Sequence, residues 1–347
     1  MAMTEKKILT ASCHCRNVQF TVSIPVEILP LEVHMCHCSV CRYTYGAPCC
    51  FHADLPPGIE PEFTGPSSLE KMTAYSLPRS NTKTYFCSTC GCCIGGCNDT
   101  WTISTSIFDA NRDDEGIWLY NSHMLPDSAP DGGLAAVLSE IDGLPLQIDD
   151  LGGRALPDVS LSKELQSNQS ELRAECHCGG VSFTIARPSE EFIARPESKG
   201  WLSDVDKSKW LACMDVCDDC RLVTGTNVIA WMFVARDHIT PRLPKDLCIG
   251  TAKSYRSTEG VNRVFCGDCG ATIFYSCDER PNIVDVSMGI LRAPEGAMAE
   301  NWSVWRAGRP AWPENGMRYH AGFSRALIEG MKRWGAERGH PQEFEIP

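Results

Sequence analysis

The sequence lacks the hydrophobic segments that mark membrane-spanning and secreted proteins. No stretch approaches the roughly 18 consecutive apolar residues of a transmembrane helix, which excludes a helical membrane anchor of that kind. The first ten residues, MAMTEKKILT, contain no long apolar run and no small-residue cleavage pattern, so we expect no signal peptide. These absences predict an intracellular, cytoplasmic protein that does not bind membranes.

Basic residues are fewer than acidic residues in this chain. The chain has 32 Lys and Arg against 44 Asp and Glu, a formal net charge of −12. Proteins that bind nucleic acids or anionic membranes rely on a basic surface. The composition therefore disfavours both kinds of partner and leaves a small molecule as the expected one, with the oligomeric state open.

Cysteine, in contrast, is abundant. The 347 residues include 21 cysteines, an odd number. Thiols stay reduced in the cytoplasm, where a high cysteine content indicates metal binding before disulfides.

The cysteines belong to a pattern that occurs twice. CHCRNVQFTV at 13–22 returns as CHCGGVSFTI at 176–185, CSVCRYTYG at 38–46 as CDDCRLVTG at 217–225, and YFCSTCGCCI at 85–94 as VFCGDCGATI at 264–273. The second and third segments are both displaced by 179 positions and the first segment by 163. The second copy therefore carries 16 additional residues between its first and second segments. These fall in a polar stretch at 188–210 that we interpret as a loop.

The repeat predicts two homologous domains at 1–150 and 171–325, joined by a polar linker at 151–170. A spacing of three to four between apolar residues predicts a short C-terminal helix and tail at 326–347, with Ser324 as a candidate N-cap. Alternating segments such as VQFTVSI and VSFTIA predict strands. The expected fold class is mainly β, with two tandem antiparallel domains that are each stabilised by zinc.

Two sets of four thiols fit closed structural zinc sites, because zinc prefers four ligands and cysteine thiolates supply them well. The alternative is that these are buried free cysteines, but the sets recur in register. The sets are Cys13, Cys15, Cys87 and Cys90 in the first copy, and Cys176, Cys178, Cys266 and Cys269 in the second.

A third group, Cys36, Cys38 and Cys41, has no obvious fourth ligand. Three protein ligands and one exchangeable position are typical of catalytic zinc. The alternative is a third structural site, closed by one of the spare thiols Cys49, Cys50, Cys92, Cys93 or Cys97. In the second copy, Asp215 takes the position of Cys36, beside Cys217 and Cys220. Because a carboxylate can also bind zinc, the sequence leaves a fourth, degenerate zinc site open there.

Other polar residues near the triplet are candidates for supporting roles. Arg42 follows the last triplet cysteine and could anchor a substrate carboxylate or neutralise the anionic zinc complex. His37 lies between two ligands, and we expect it to face away from them because alternate residues of an extended run point apart. The residues Tyr43, Tyr45, His52 and His123 are weaker candidates.

The order CxC, CxCxxCR and FCxxCG resembles the family of glutathione-dependent formaldehyde-activating enzymes, which is related to centromere protein V. Here it reads CHC, CHCSVCR and FCSTCG. The resemblance implies a β-tent fold, a structural zinc on the CxC and CxxC pairs, and a catalytic zinc on Cys36, Cys38 and Cys41. The implied activity joins glutathione to formaldehyde as S-hydroxymethylglutathione, a carbon–sulfur lyase reaction in the synthetic direction.

The function expected from the sequence is therefore a zinc-dependent lyase that acts on a glutathione-like thiol plus an aldehyde, or on their adduct. Three alternatives stay open. The same site could act on a larger specialised metabolite, every zinc could be structural in a protein-binding module, or the vicinal pairs Cys49/Cys50 and Cys92/Cys93 could carry thiol redox chemistry.

Overall fold

The computed structural model describes residues 5–78, 80–109, 116–151 and 170–342. Residues 5–151 are called the first half below, and 170–342 the second half. The linker expected at 151–170 lies outside the described residues except at its two ends, and the end of the C-terminal tail lies outside them as well.

The first half contains thirteen strands among its described residues. They are β1 (Lys6–Ser12), β2 (Gln19–Pro25), β3 (Leu31–Cys36), β4 (Cys50–Asp54), β5 (Glu62–Phe63), β6 (Met72–Ser76), β7 (Lys83–Cys87), β8 (Cys93–Cys97), β9 (Trp101–Ser104), β10 (Trp118–Met124), β11 (Glu140–Ile141), β12 (Leu144–Pro145) and β13 (Gln147–Asp149).

The second half contains ten strands within the part that the structure describes. They are β14 (Glu171–Glu175), β15 (Ser182–Ala186), β16 (Trp210–Asp215), β17 (Ile229–Ala235), β18 (Ile239–Thr240), β19 (Ala252–Thr258), β20 (Val261–Cys266), β21 (Thr272–Cys277), β22 (Ile283–Ser287) and β23 (Ser303–Trp305).

Helices are few and mostly short. The α-helices are α1 (Ser39–Tyr45), α2 (Glu190–Ala194), α3 (Asp218–Thr224), α4 (Pro313–Tyr319) and α5 (Ala321–Arg338). Single 3₁₀ turns include Thr105–Ile107 after β9 and Met288–Ile290 after β22. The mainly β fold class with a C-terminal helix is thus confirmed.

The two halves repeat one sheet order. In the first half a sheet runs β10-β3-β4-β9-β8-β7-β6, with β13 added beside β10, and in the second half a sheet runs β23-β16-β17-β22-β21-β20-β19. A three-stranded sheet accompanies each, β1-β2-β5 in the first half and β14-β15-β18 in the second. Pairing is antiparallel except at β3–β10, β10–β13 and β16–β23, which are parallel, so the sheets are mixed and not purely antiparallel as expected.

Two local expectations were wrong. Helix α5 begins at Ala321, and its N-cap is His320, whose side chain accepts from the Phe323 N–H; Ser324 lies inside the helix and is buried. The stretch at 188–210 is not all loop, because Ser189 caps α2 by accepting from the Phe192 N–H at 3.1 Å. Both helices are anchored by apolar contacts with distant residues, which local spacing does not reveal.

The halves pack against each other through equivalent residues. Phe86 and Phe265, which are equivalent in the repeat, meet in a T-shaped contact with ring centroids 6.2 Å apart. Around them lies an apolar cluster that includes Tyr45 and Cys93, and the main core also takes residues from both halves. The two repeats therefore share buried apolar surface.

The glycines that end α1 and α3 belong to this interface. Gly46 and Gly225 are C-caps in the left-handed region, with φ of +72° and +79°. A Cβ on Gly46 would overlap the Thr272 carbonyl oxygen, and one on Gly225 would overlap that of Cys93, the equivalent residue. Each glycine therefore allows both a turn and the close approach of the other half.

The two CxC turns are joined to the opposite half in the same reciprocal way. The His14 N–H donates to the Leu222 carbonyl at 3.2 Å, and the His177 N–H donates to that of Tyr43 at 3.1 Å. The His14 ring bonds the Tyr255 hydroxyl at 2.8 Å, and the His177 ring bonds that of Tyr75 at 2.7 Å. The histidine inside each CxC motif thus fixes its turn to the other repeat.

A pair of glycine substitutions tests this interface. Gly58→Ala should cost about 1 kcal/mol, because Gly58 also has a positive φ but has no neighbour near its missing Cβ. Gly46→Ala should cost about 1–3 kcal/mol more, because the new methyl group overlaps the opposite half. Equal losses of unfolding free energy in a denaturant titration would contradict the proposed close approach.

Candidate metal centres and active site

The first set of four thiols comes together at the ends of two strands. Cys13 follows β1, and Cys87 ends β7. The Cys15 sulfur lies 3.6 Å from that of Cys13 and 3.5 Å from that of Cys87, and all four sulfurs, including that of Cys90, lie within 4.8 Å of one another. The Val18 N–H donates to the Cys13 sulfur at 3.4 Å.

The second set has the same geometry. The Cys178 sulfur lies 3.5 Å from those of Cys176 and Cys266, and Cys269 completes a group whose sulfurs lie within 4.8 Å of one another. The Val181 N–H donates to the Cys176 sulfur at 3.3 Å. The equivalence of the two sets extends to their supporting hydrogen bonds.

These distances fit a metal ion better than any bond between the sulfurs. Thiolates about 2.3 Å from a central zinc define a tetrahedron with edges of about 3.8 Å, close to the separations seen here, whereas a disulfide brings two sulfurs to about 2.05 Å. Backbone N–H groups that point at sulfur favour thiolates, the form that binds metal. Both sets could therefore hold a metal ion.

The triplet also converges on one point. Cys36 ends β3, and Cys38 is the N-cap of α1, so its sulfur accepts from the Cys41 N–H at 3.4 Å. The three sulfurs lie within 4.8 Å of one another. Contact with the Cys36 and Cys41 thiols lowers the pKa of Cys38 well below its usual range, against the effect of burial.

The spare thiols do not complete a fourfold set with the triplet. Among the described residues, Cys50 and His52 form a separate group with Cys41, with sulfur and ring nitrogen within 4.8 Å, but neither lies that close to all three triplet sulfurs. Burial raises the pKa of Cys50 to about 12. The described residues thus bring three thiols together, and Cys41 also lies near Cys50 and His52.

A cavity of about 220 Å³ opens beside this group. Cys41, Tyr45 and His52 line its inner end, and the exposed residues Asn98 and Thr100 border its mouth. The rest of the lining that the structure describes is neutral, and it consists of Val40, Thr44, Leu77, Thr82, Thr84, Gly95, Gly96, Cys97 and Thr102.

A chain of hydrogen bonds leads from the cavity into the protein. The His52 Nε2 lies 3.1 Å from the Tyr45 hydroxyl, which lies 2.8 Å from the Ser104 hydroxyl. Tyr45 and Ser104 are buried, and burial lowers the pKa of His52 to about 4. Burial thus disfavours the protonated form of His52.

The structure makes His52 and Tyr45 stronger candidates for site residues than the sequence did. Cys50 and His52 alternate along β4, so both side chains project from one face of the strand toward Cys41. That alternation was the sequence signal that pointed to His52 as a site residue. The signal alone was not enough, because the packing of β4 beside α1 depends on the tertiary structure.

Arg42 does not face the cavity. Its guanidinium donates to the His37 carbonyl at 3.0 Å and to the Ser128 carbonyl at 3.1 Å, and the residue is 4% exposed. Backbone carbonyls from two segments thus satisfy it, and we do not carry it forward as a substrate anchor. Its counterpart Arg221 is buried in the same manner and donates to the Ser106 carbonyl.

His37 and His123 bond each other away from the triplet. The His123 Nε2 lies 2.6 Å from the Leu138 carbonyl, which can only accept, so His123 carries its proton on Nε2. Its Nδ1 then accepts from the His37 Nε2 at 2.8 Å. This pair links the end of β3 and strand β10 to the segment around Leu138. His37 thus faces away from the triplet, as expected from the sequence.

The equivalent group in the second half also assembles. Asp215, Cys217 and Cys220 have ligand atoms within 4.8 Å of one another. The Asp215 carboxylate accepts from the Cys217 N–H at 2.7 Å and lies 3.4 Å from the Cys220 sulfur. Burial raises the pKa of Asp215 above its ordinary value.

The chain was compared with known proteins. No curated protein matches it significantly. Among the described residues, no helix has both the length and the hydropathy needed to cross a membrane.

The family model of the glutathione-dependent formaldehyde-activating enzyme matches residues 8–115 and 203–307, consistent with two tandem domains. Its second match begins at residue 203, within the stretch that contains the additional residues of the second copy, and so omits Cys176 and Cys178. Because the two matches cover more than half of the chain, the protein belongs to the family of glutathione-dependent formaldehyde-activating enzymes.

Proposed function

We propose that this protein is a zinc-dependent enzyme of the carbon–sulfur lyase type that adds a glutathione-like thiol to an aldehyde, or cleaves the adduct. The observation that carries the proposal is the triplet Cys36, Cys38 and Cys41, which lacks a fourth described ligand and lies beside a cavity lined by His52. The family to which the chain belongs supports the thiol and the aldehyde as reactants.

The residues present suit zinc at three positions. The two sets of four thiols would hold it as closed structural sites, and the triplet would hold it with one position for an exchangeable ligand. When bound at the triplet, zinc would lower the pKa of a substrate thiol and so supply the thiolate nucleophile.

The cavity residues would move the proton. In the addition, a carbon–sulfur bond forms, the S–H and carbonyl π bonds break, and the sulfur-bound proton must reach the carbonyl oxygen. His52 accepts the proton and returns it to that oxygen as general base and then general acid. Its bond to Tyr45 holds the ring in place, and the Ser104 hydroxyl lets this chain of hydrogen bonds point in either direction.

The dimensions of the cavity favour a compact aldehyde. A volume of about 220 Å³ is below the 300–1,000 Å³ typical of sites for drug-sized ligands. A small aldehyde and the thiol end of a longer molecule would fit, with the remainder along the mouth at Asn98 and Thr100. This favours a small aldehyde over the larger specialised metabolite considered from the sequence.

The number of metal ions tests the structural sites. Cys90→Ser should lose one zinc and destabilise the whole chain, because structural zinc contributes on the order of 10 kcal/mol and the CxC turns bind across the halves. Cys248→Ser, a thiol outside all metal groups, is the matched control. We expect three zinc ions per wild-type chain by native mass spectrometry; full zinc and an unchanged melt in Cys90→Ser would refute the assignment.

A second matched pair tests which triplet is catalytic. Cys38 and Cys217 are equivalent helix N-caps, so replacing either by alanine removes the same local hydrogen bond. Cys38→Ala should lower the rate of exchange between ¹³C-formaldehyde and its glutathione adduct by about 100-fold or more, because it removes a ligand of the proposed zinc.

Cys217→Ala should retain most of the activity in the same NMR exchange assay. Equal losses in both variants would indicate two working sites or one shared site. If the wild-type chain accelerates exchange for no small thiol and aldehyde, the protein-binding module becomes the better interpretation.

The proton transfer has its own test. His52→Asn should reduce turnover by about 10²–10⁴-fold, the usual contribution of a general acid–base, while zinc content stays at the wild-type value. Tyr45→Phe should have a smaller effect, since it removes only the bond that positions the ring. An unchanged rate in His52→Asn would exclude the histidine from the reaction.

A further inference from the structure

The second half contains a cavity of its own, about 630 Å³ in volume, over the degenerate triplet. It shares no lining residue with the cavity beside Cys41. Its volume falls within the range that accommodates small organic ligands. The lining consists of Cys213, Asp215, Cys217, Asp219, Cys220, Trp231, Phe233, Arg263, Tyr275, Cys277, Glu279, Arg280, Asp285, Arg306, Arg309, Ala311, Trp312, Glu314 and Asn315.

Two residues that line the first cavity, His52 and Thr84, have been replaced in this half. Trp231 occupies the strand position of His52, as its pairing with Ser287 matches that of His52 with Ser104. Arg263 occupies the place of Thr84, opposite a tyrosine in both halves. The second cavity therefore has no counterpart of the proposed general base.

Arg263 places a positive charge at the degenerate triplet. Its guanidinium donates to the Cys220 sulfur at 3.4 Å and to the Ser257 hydroxyl at 3.0 Å, and the residue is 5% exposed. A fixed cation beside the thiols balances their negative charge. Arg263 therefore belongs to the degenerate triplet, and the rest of the cavity stays available for another ligand.

Two other arginines in the cavity have no protein counter-ion among the described residues. Arg306 is 7% exposed, and its guanidinium forms no hydrogen bond or ion pair within the described part of the chain. Arg309, three residues further on, also lines the cavity and is exposed. Burial and the like charge of Arg309 lower the pKa of Arg306. Because the Arg306 guanidinium lines the cavity and has no described protein partner there, it is available to bind an anionic ligand.

The carboxylates that line the cavity do not serve as counter-ions for Arg306 and Arg309. Asp285 is paired with Arg280 at 2.8 Å, Asp219 with His14 at 3.4 Å, and Asp215 with the N–H of Cys217. The remaining two, Glu279 and Glu314, are exposed at the rim, and no ion pair joins them to Arg306 among the described residues.

Aromatic side chains form the other part of the cavity. Trp231, Phe233 and Tyr275 lie along its wall. Trp312 stands at the rim with 58% of its surface exposed, and its φ of +54° is unusual for a residue other than glycine. An exposed tryptophan held in that conformation offers a flat apolar face to a ligand in the cavity.

We propose that this cavity is a second binding site, for a small organic acid whose carboxylate bonds Arg306 and Arg309 and whose planar apolar group contacts Trp312 and Trp231. The guanidinium fork suits a carboxylate, and the aromatic wall suits a ring. The site is independent of the thiol and aldehyde chemistry of the first half.

The test uses matched acids and amides on the intact chain. Calorimetric titration should show saturable binding of at least one of benzoate, 2-naphthoate and indole-3-acetate. That acid should bind at least about 10-fold tighter than its amide, because the amide cannot form a charge-assisted hydrogen bond with the arginines. Arg309→Gln should weaken acid binding by about 10-fold, and Trp312→Ala should weaken acid and amide alike.

Arg309 and Trp312 are exposed, so their variants should fold even if those of Arg306 do not. Arg256→Gln, which removes an exposed arginine outside the cavity, is the charge control and should leave binding unchanged. Absence of binding by all three acids, equal affinity for acid and amide, or full affinity in Arg309→Gln would each overturn the proposal.

Discussion

The structure depends on the attachment of each four-thiol turn to the opposite half of the chain. A CxC motif has little apolar surface, so its path must be fixed by the ligands of the sulfurs and by the histidine between them. That histidine donates its backbone N–H to a helix of the other repeat and bonds a tyrosine of the other repeat through its ring. A metal ion on either set would therefore stabilise both halves, and each half would lose stability if the other lost its metal.

This reciprocal packing lets the two repeats diverge without loss of the fold. The same seven strands occur in the same order, and Gly46 and Gly225 make equivalent close contacts with the opposite half. Inside the cavities, however, His52 is replaced by Trp231 and Thr84 by Arg263. The first substitution removes a proton acceptor, and the second adds a cation beside the thiols. One fold thus carries two cavities with different linings, and this difference is the basis of the two functions proposed above.

Sequence reasoning succeeded where the information was local or repeated. The spacing of the cysteines was enough to group the thiols, because ligands of one metal ion must share a short turn or recur in register. It failed where side chains are positioned by distant segments. Arg42 follows a triplet cysteine, yet the Ser128 carbonyl from a remote turn draws it away from the cavity. His52 was undervalued for the same reason, since only the packing of β4 against α1 brings it to Cys41. The start of α5 was misplaced because His320, a less common N-cap, takes the role expected of Ser324.

The central claim is that the triplet Cys36, Cys38 and Cys41 holds a metal ion with one position open to a substrate thiol. Cobalt substituted for zinc reports its ligands through visible absorption, so the direct measurement is a titration of the cobalt protein with glutathione and with S-methylglutathione, which has no free thiol. Glutathione should change the bands in wild-type protein and not in Cys38→Ala, and S-methylglutathione should leave them unchanged. Equal changes with both compounds would contradict ligation by the thiol, and no change with either would show that glutathione does not bind this site.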